Sequence, residues 1–392
     1  MSYSIIESIV SHTLPNLSSF ATDQINPRGN PGSFLSFEKG LPNLRSAPST
    51  IDPTNGEITI LQYSHAFADL IGPQPSHSVL LSETTTPKER FSYTACVFLP
   101  QHDEIFMTST LIPSDFSLQA PKVYTFAIEL ERTDPVNGDN HIRTTRWRKT
   151  PWAQMYTGLV NYEDGVLICA RANEGPGTGG IYYMPRWNFP QGLVTNHQGR
   201  ALTSVNDVVV AKKDGCFWFT DPDFGFEMHP NQRPDLPCHV FRFDFEKSEL
   251  RIMVNCLNKP SGLAFSPDES VLYVMDTDCP QGDESFDRPK ATEIYAFDIT
   301  EGPFLANQRL FAYAVGGGPS GIKCDVSGNV YAGCGDGIGV WDPEGVLLGR
   351  FLVPGGVKDF NFGKNGELFI CSENTLRRVQ LAQGTKGALL GI

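Results

Sequence analysis

One pattern recurs six times between residues 94 and 371, and it leaves few folds open. Each copy has a polar residue, a short apolar run, an Asp, Gly or Asn turn, and a second apolar run. The clearest copy starts at Asn206-Asp207. Branched residues run from Val208 to Ala211, Lys212-Lys213-Asp214-Gly215 supplies the turn, and Cys216 to Thr220 returns towards Asp221. Asp-Gly between two runs rich in β-formers is strong hairpin chemistry. The other copies begin at Thr94, Thr157, Ser261, Ser320 and Lys358, roughly 40 to 60 residues apart. Most are followed by a third run that ends near an aromatic, such as His239–Asp244 or Glu293–Asp298.

Repeats of this length, built only of strands, predict an all-β six-bladed β-propeller of four-stranded blades. A β-sandwich would not need six copies of one template. The propeller is expected over 90–392. Residues 1–89 read as an N-terminal arm that includes a closing strand, and within it Ile58–Tyr63 reads as a strand and the stretch before Pro15 as a short helix.

Composition narrows the function. The 392 residues carry a net charge of −13, and 40% hydrophobic content supports a large core. The densest basic run, Arg143 to Lys149, is short and reads as a solvated strand edge, so a nucleic-acid surface is not expected. No apolar stretch reaches the ~18 residues of a membrane span, and Glu7 interrupts the only apolar run near the start. Nine cysteines without CxxC spacing, several inside apolar strands, fit buried free thiols in a reducing compartment. These features predict a cytoplasmic protein, a monomer or weak homo-oligomer, with a small apolar or lactone-like molecule as partner.

In a propeller, equivalent template positions form a ring at one mouth of the central channel. Here that ring is Thr94, Thr157, Asn206, Ser261, Ser320 and Lys358. The first five are candidate substrate-binding residues. Asn206, Asp207, Lys358 and Glu373 are candidate catalytic groups, with Asp221, Asp276 and Asp359 as further acids near strand ends. His197 and His239 have a structural default.

The stretches 204–210, 217–225, 262–277 and 321–337 resemble the gluconolactonase / senescence-marker-protein / luciferin-regenerating-enzyme family, and within it fungal lactonohydrolases. The resemblance covers about 90–380. It implies a six-bladed propeller with calcium in the channel and hydrolysis of lactones or phosphotriesters. The family's metal-binding Glu falls on Thr94, its Asn positions on Thr157, Asn206 and Ser261, and its Asp on Ser320. Only Asn206 keeps the family's ligand type. Calcium draws its affinity from carboxylates, and this ring has none unless a slipped register brings Glu89 or Asp103 to the centre. No metal ligands and no cofactor are therefore expected, with calcium returning only if the ligand-loss reading fails. Three functions follow in order: a metal-independent cyclase or isomerase of specialised metabolism, a retained lactone hydrolase, and a non-catalytic binding propeller. Gly318-Pro319-Ser320-Gly321 is not a nucleophile elbow, which counts against a serine hydrolase.

Overall fold

The computed structural model describes residues 35–39, 57–82, 92–110, 123–132, 142–152, 155–172, 179–186, 188–225, 234–277, 292–301, 304–314 and 320–391. The helix expected before Pro15 lies outside them. Each template copy is the inner hairpin of one antiparallel sheet, as the alternating runs and turn residues predict. Blades one to four take their strands in chain order. They begin with Tyr93–Leu99, Met155–Tyr162, Val208–Val210 and Pro260–Phe265 and finish with Ile142–Trp152, Gln191–Val194, Glu249–Val254 and Leu305–Tyr313. The basic run 143–149 thus lies on the outermost strand of blade one.

The last two blades borrow from the start of the chain. In blade five the strands Gly321–Cys324, Val330–Cys334, Gly337–Trp341 and Leu347–Leu352 are extended by Ile58–Gln62 and then Leu35–Lys39. In blade six, Asp359–Phe362, Glu367–Ser372 and Thr375–Gln380 supply three strands, and Ser76–Ser82 is the fourth. Residues on the N-terminal side of the expected 89/90 boundary are therefore part of the propeller. The strand that completes the ring is Ser76–Ser82, and the expected strand near Ile58 extends blade five. The helix His65–Ile71 joins these two strands. Ser64 caps it by accepting from the Ala66 N–H, and Phe67, Leu70 and Ile71 are buried.

Packing follows from period two. Successive residues of a blade strand face opposite neighbours, so both faces must be apolar. Val208, Phe217 and Phe219 enter the seam with blade two, while Val209 and Trp218 enter the seam with blade four. Six such apolar clusters, one per pair of adjacent blades, form the core. Cys96, Cys169, Cys216, Cys324, Cys334 and Cys371 are buried free thiols. Among the described residues no helix is long and apolar enough to cross a membrane.

The seam between blades six and one also carries a partly buried ion cluster centred on a buried glutamate. Glu367, 1% exposed, accepts from Arg132 at 2.6 and 2.8 Å and from Arg378 at 2.7 Å, while Arg132 also grips Asp103. Arg132 and Asp103 belong to blade one, and Glu367 and Arg378 to blade six, so the cluster fastens the ring where the first and last blades meet. Removing one member of a buried pair strands the other charge. Glu367→Ala is expected to cost about 3 kcal/mol, read as a lowered urea midpoint. A midpoint unchanged within error would show that the cluster does not secure the ring.

Candidate functional site

The template positions do converge, and hydrogen bonds between neighbouring blades show how. The Thr94 hydroxyl donates to the Tyr156 carbonyl (2.9 Å), Thr157 to Val205 (2.8 Å) and Ser320 to Val357 (2.6 Å). Each acceptor immediately precedes the next ring residue. Asn206 continues the series by donating its Nδ2 to the Ser261 carbonyl at 3.1 Å. Ser261 itself is buried, and its hydroxyl pairs with Thr277 at 2.6 Å. The ring hydroxyls are thus clasps between blades before they are anything else. Lys358 and Glu373 are exposed. Glu373 holds a positive φ of 46° in the last hairpin of blade six, and its carbonyl accepts from the Tyr93 N–H.

The buried acids sort into two structural roles. At the ends of second strands, Asp221 accepts from the Ser204 N–H (2.7 Å), and Asp276 accepts from the N–H groups of Asn258 and Lys259 (3.0 and 2.7 Å). Each acid therefore pins the loop that presents a ring residue, Asn206 or Ser261. One position further along the inner strands, Asp207 accepts from Val208 and from Leu263 of the next blade. Asp359 does the same with Phe360 and with Cys96 of blade one. Asp207, expected as a catalytic group, is here a buried inter-blade pin.

The blade ahead of each pin makes room for it with glycine. A Cβ at Gly158 would lie 2.5 Å from the Asn206 carbonyl and 3.0 Å from Asp207 Oδ1, and one at Gly321 would lie 2.7 Å from Asp359 Oδ1. Lys323, a residue the sequence reading passed over, reaches the same waist with its Nζ 3.8 Å from Asp359. Burial alone would lower its ammonium, but Asp359 and Asp207 outweigh that and hold it above its ordinary value. Burial lifts the Asp207 carboxyl to about 6 and that of Asp221 to about 7, and it raises Asp359 as well.

Below the waist the channel is stopped. The C-terminal segment crosses its far mouth: Ala388 donates to the Cys324 carbonyl (2.8 Å), and Lys212 Nζ donates to the Ala388 carbonyl (2.6 Å). What remains there is a cavity of about 60 Å³ lined by Val209, Ala264, Lys323, Asn361 and Leu389. The ring residues stand at the opposite end of the inner strands.

On that side stands a cation that the template did not single out. Arg171 ends the second strand of blade two, and its backbone bridges to Ser204. Its Nη2 donates to Asn206 Oδ1 at 2.6 Å, and its guanidinium lies 5.1 Å from the centre of the Phe224 ring. Lys259 Nζ is 5.9 Å from the same ring and 3.5 Å from Asp223. The sequence signal was there: an arginine closing the otherwise apolar Val166–Ala170 run.

These features define a six-bladed propeller with a polar ring at one end of its channel. The sequence pattern of the SMP-30/Gluconolactonase/LRE-like region matches residues 128–374, and the chain belongs to that family. Lactonohydrolase oryL of Aspergillus oryzae is 24% identical over 369 residues, covering 88% of this chain and 79% of that protein. A gluconolactonase of Zymomonas mobilis is 30% identical over 48% of this chain and 53% of its own length. Among solved structures, the gluconolactonase XC5397 of Xanthomonas campestris superposes with a TM-score of 0.62 at 26% identity, covering 82% of this chain and 94% of that one. A calcium-binding regucalcin of Agrobacterium tumefaciens shares the fold at a TM-score of 0.51 and 14% identity, over 79% and 95% of the two chains.

The ring residues described here do not fit a calcium ion. They bring neutral hydroxyls and one amide whose oxygen is already held by a guanidinium, and calcium needs carboxylates among six to eight oxygens. Asp103 is bound to Arg132 on a hairpin turn, and Glu89 lies outside the described residues. Among the described residues, no three His, Cys, Asp or Glu side chains are grouped to hold a metal.

The raised acids set a pH dependence. A carboxyl whose folded pKa lies above its unfolded value of about 3.9 binds its proton more tightly when folded. The contribution of these two acids to stability therefore falls as pH rises from about 4 to about 7. Asp221→Asn keeps an acceptor for Ser204 and removes one titration. It is expected to gain stability relative to wild type at pH 8 and to lose that advantage by pH 4, as followed by urea midpoints. An advantage that stays constant with pH would refute the raised Asp221 carboxyl.

Proposed function

We propose that this protein interconverts a small lactone and its hydroxy acid at the ring mouth, without using calcium. Membership of the family and likeness to proteins named lactonohydrolase and gluconolactonase support the reaction class. The observation that carries the location is Asn206, whose amide is fixed at both ends, by Arg171 and by the Ser261 carbonyl, at the rim of a channel blocked at its other end. Those two bonds use one lone pair and one N–H of an amide that offers two of each.

In ring opening, a water oxygen bonds to the acyl carbon, the acyl–oxygen ring bond breaks, and the departing alkoxide takes up a proton. The hydroxy acid releases one proton at neutral pH. Charge builds on the carbonyl oxygen during attack, and donors fixed in advance stabilise it most effectively. Cyclisation of the hydroxy acid is the same path reversed, so a cyclase reading and a hydrolase reading share one site.

Proton release in a pH-stat, with γ- and δ-lactones and excess chelator present, reads the reaction directly. Asn206→Ala is expected to lower kcat/KM by at least about 100-fold with the far-UV spectrum unchanged. Full turnover in the folded variant would remove the mouth from consideration, and a wild type inert on the whole lactone series would remove the reaction.

A further inference from the structure

We propose that the Arg171 guanidinium is a tethered cation, standing on Asn206 where relatives in this family would place a metal ion. Its catalytic consequence rests on the ring mouth being the reaction site; its electrostatic content does not.

Three observations converge on it. First, Asn206 is the one ring position that keeps the family's ligand type, and the oxygen that would serve as ligand is 2.6 Å from Arg171 Nη2. Calcium bonds oxygen at about 2.3–2.6 Å, so an ion on Asn206 Oδ1 would share its coordination sphere with a guanidinium nitrogen. Two cations cannot share one neutral amide oxygen at that range without strong repulsion.

Second, the guanidinium is built in rather than draped over the surface. Arg171 is 6% exposed and faces the ring of Phe224, which is itself 1% exposed. The backbone bridge between Arg171 and Ser204 delivers the side chain across the blade boundary to the loop that carries Asn206. Asp221 holds that loop from the other side through the Ser204 N–H.

Third, the described ring positions carry no carboxylate that would attract a divalent ion, where a cation is present. Thr94 and Ser320 stand at the family's acidic positions, and each gives its hydroxyl proton to a carbonyl of the next blade. Losing the acids alone would not require an arginine, and gaining the arginine alone would leave a metal site merely weakened. Together the two changes disfavour a divalent ion on Asn206.

The ligand class follows from the charge. A guanidinium is permanently ionised and presents planar N–H donors suited to carboxylate and carbonyl oxygens. The mouth should therefore hold the carbonyl oxygen of a lactone or the carboxylate of its hydroxy acid, with a cation that neither chelation nor pH in the neutral range removes.

Calcium titration by calorimetry tests this without any substrate. Four proteins are compared: wild type, Arg171→Met, the double variant Thr94→Glu/Ser320→Asp, and the triple variant that combines all three substitutions. The wild type is expected to give no calcium heat up to millimolar concentrations and an unchanged Tm with chelator. The triple variant is expected to bind calcium at least tenfold more tightly than the double variant, with a calcium-dependent rise in Tm. Equal calcium affinity in the double and triple variants would overturn the proposal, as would a wild type that binds one calcium ion at micromolar concentration. If Arg171→Met does not fold, the wild type and the double variant, both keeping Arg171, still decide: micromolar calcium binding by either would overturn the assignment, and weak or absent binding by both is the result it requires. Turnover plays no part in these measurements, so the lactone reading can fail while this one stands.

Discussion

Every strand of a blade is pressed between two neighbours, and that constraint governs the rest of the molecule. A blade has no solvent face except at its outer edge, so its strands must be apolar on both sides and its polar side chains must gather at the ends. Tyr331 and Phe362 meet edge-on across one seam, and Trp218 and Phe265 across another. Aromatic contacts of this kind add about 0.5–1.5 kcal/mol beyond area burial. The polar residues displaced to the strand ends have nowhere to go but the two mouths, which is why chemistry concentrates there.

Polar groups that do enter the seams are conscripted into holding blades together. The pins Asp207 and Asp359 and the hydroxyl clasps of Thr94, Thr157 and Ser320 satisfy backbone groups that a tilted inner strand would otherwise leave open. Neutral hydroxyls suit this task because they cost less to bury than carboxylates. The same choice empties the ring of the charge that a divalent ion would require. Structural economy at the ring and its electrostatic character are therefore one fact.

Much of this was legible in the sequence, for physical reasons. Alternation and turn chemistry are local, so the inner hairpins could be read directly, and the repeat then places residues such as Asn206 and Ser320 at one height although they lie far apart in the chain. The outer strands were harder. Gln191–Val194 and Leu305–Tyr313 are partly exposed, so their pattern is diluted. Ser76–Ser82 owes its strand to a partner in blade six, which no local signal reveals. Within the site, the positions were legible but the partners were not. Nothing in the sequence says that Lys323 answers Asp359 rather than solvent, or that Arg171 turns towards Asn206, because both depend on which blades become neighbours.

The closure of blade six has a consequence for how the chain is made. Ser76–Ser82 leaves the ribosome about 300 residues before Thr375–Gln380, the strand it must pair with. At 5–20 residues per second, that is a wait of roughly 15 seconds to a minute. During that time a segment reading Ser-His-Ser-Val-Leu-Leu-Ser is an unpaired edge, open to pairing with other chains. Translation speed and chaperone supply, more than the stability of the finished ring, then set how much of the protein reaches its native form.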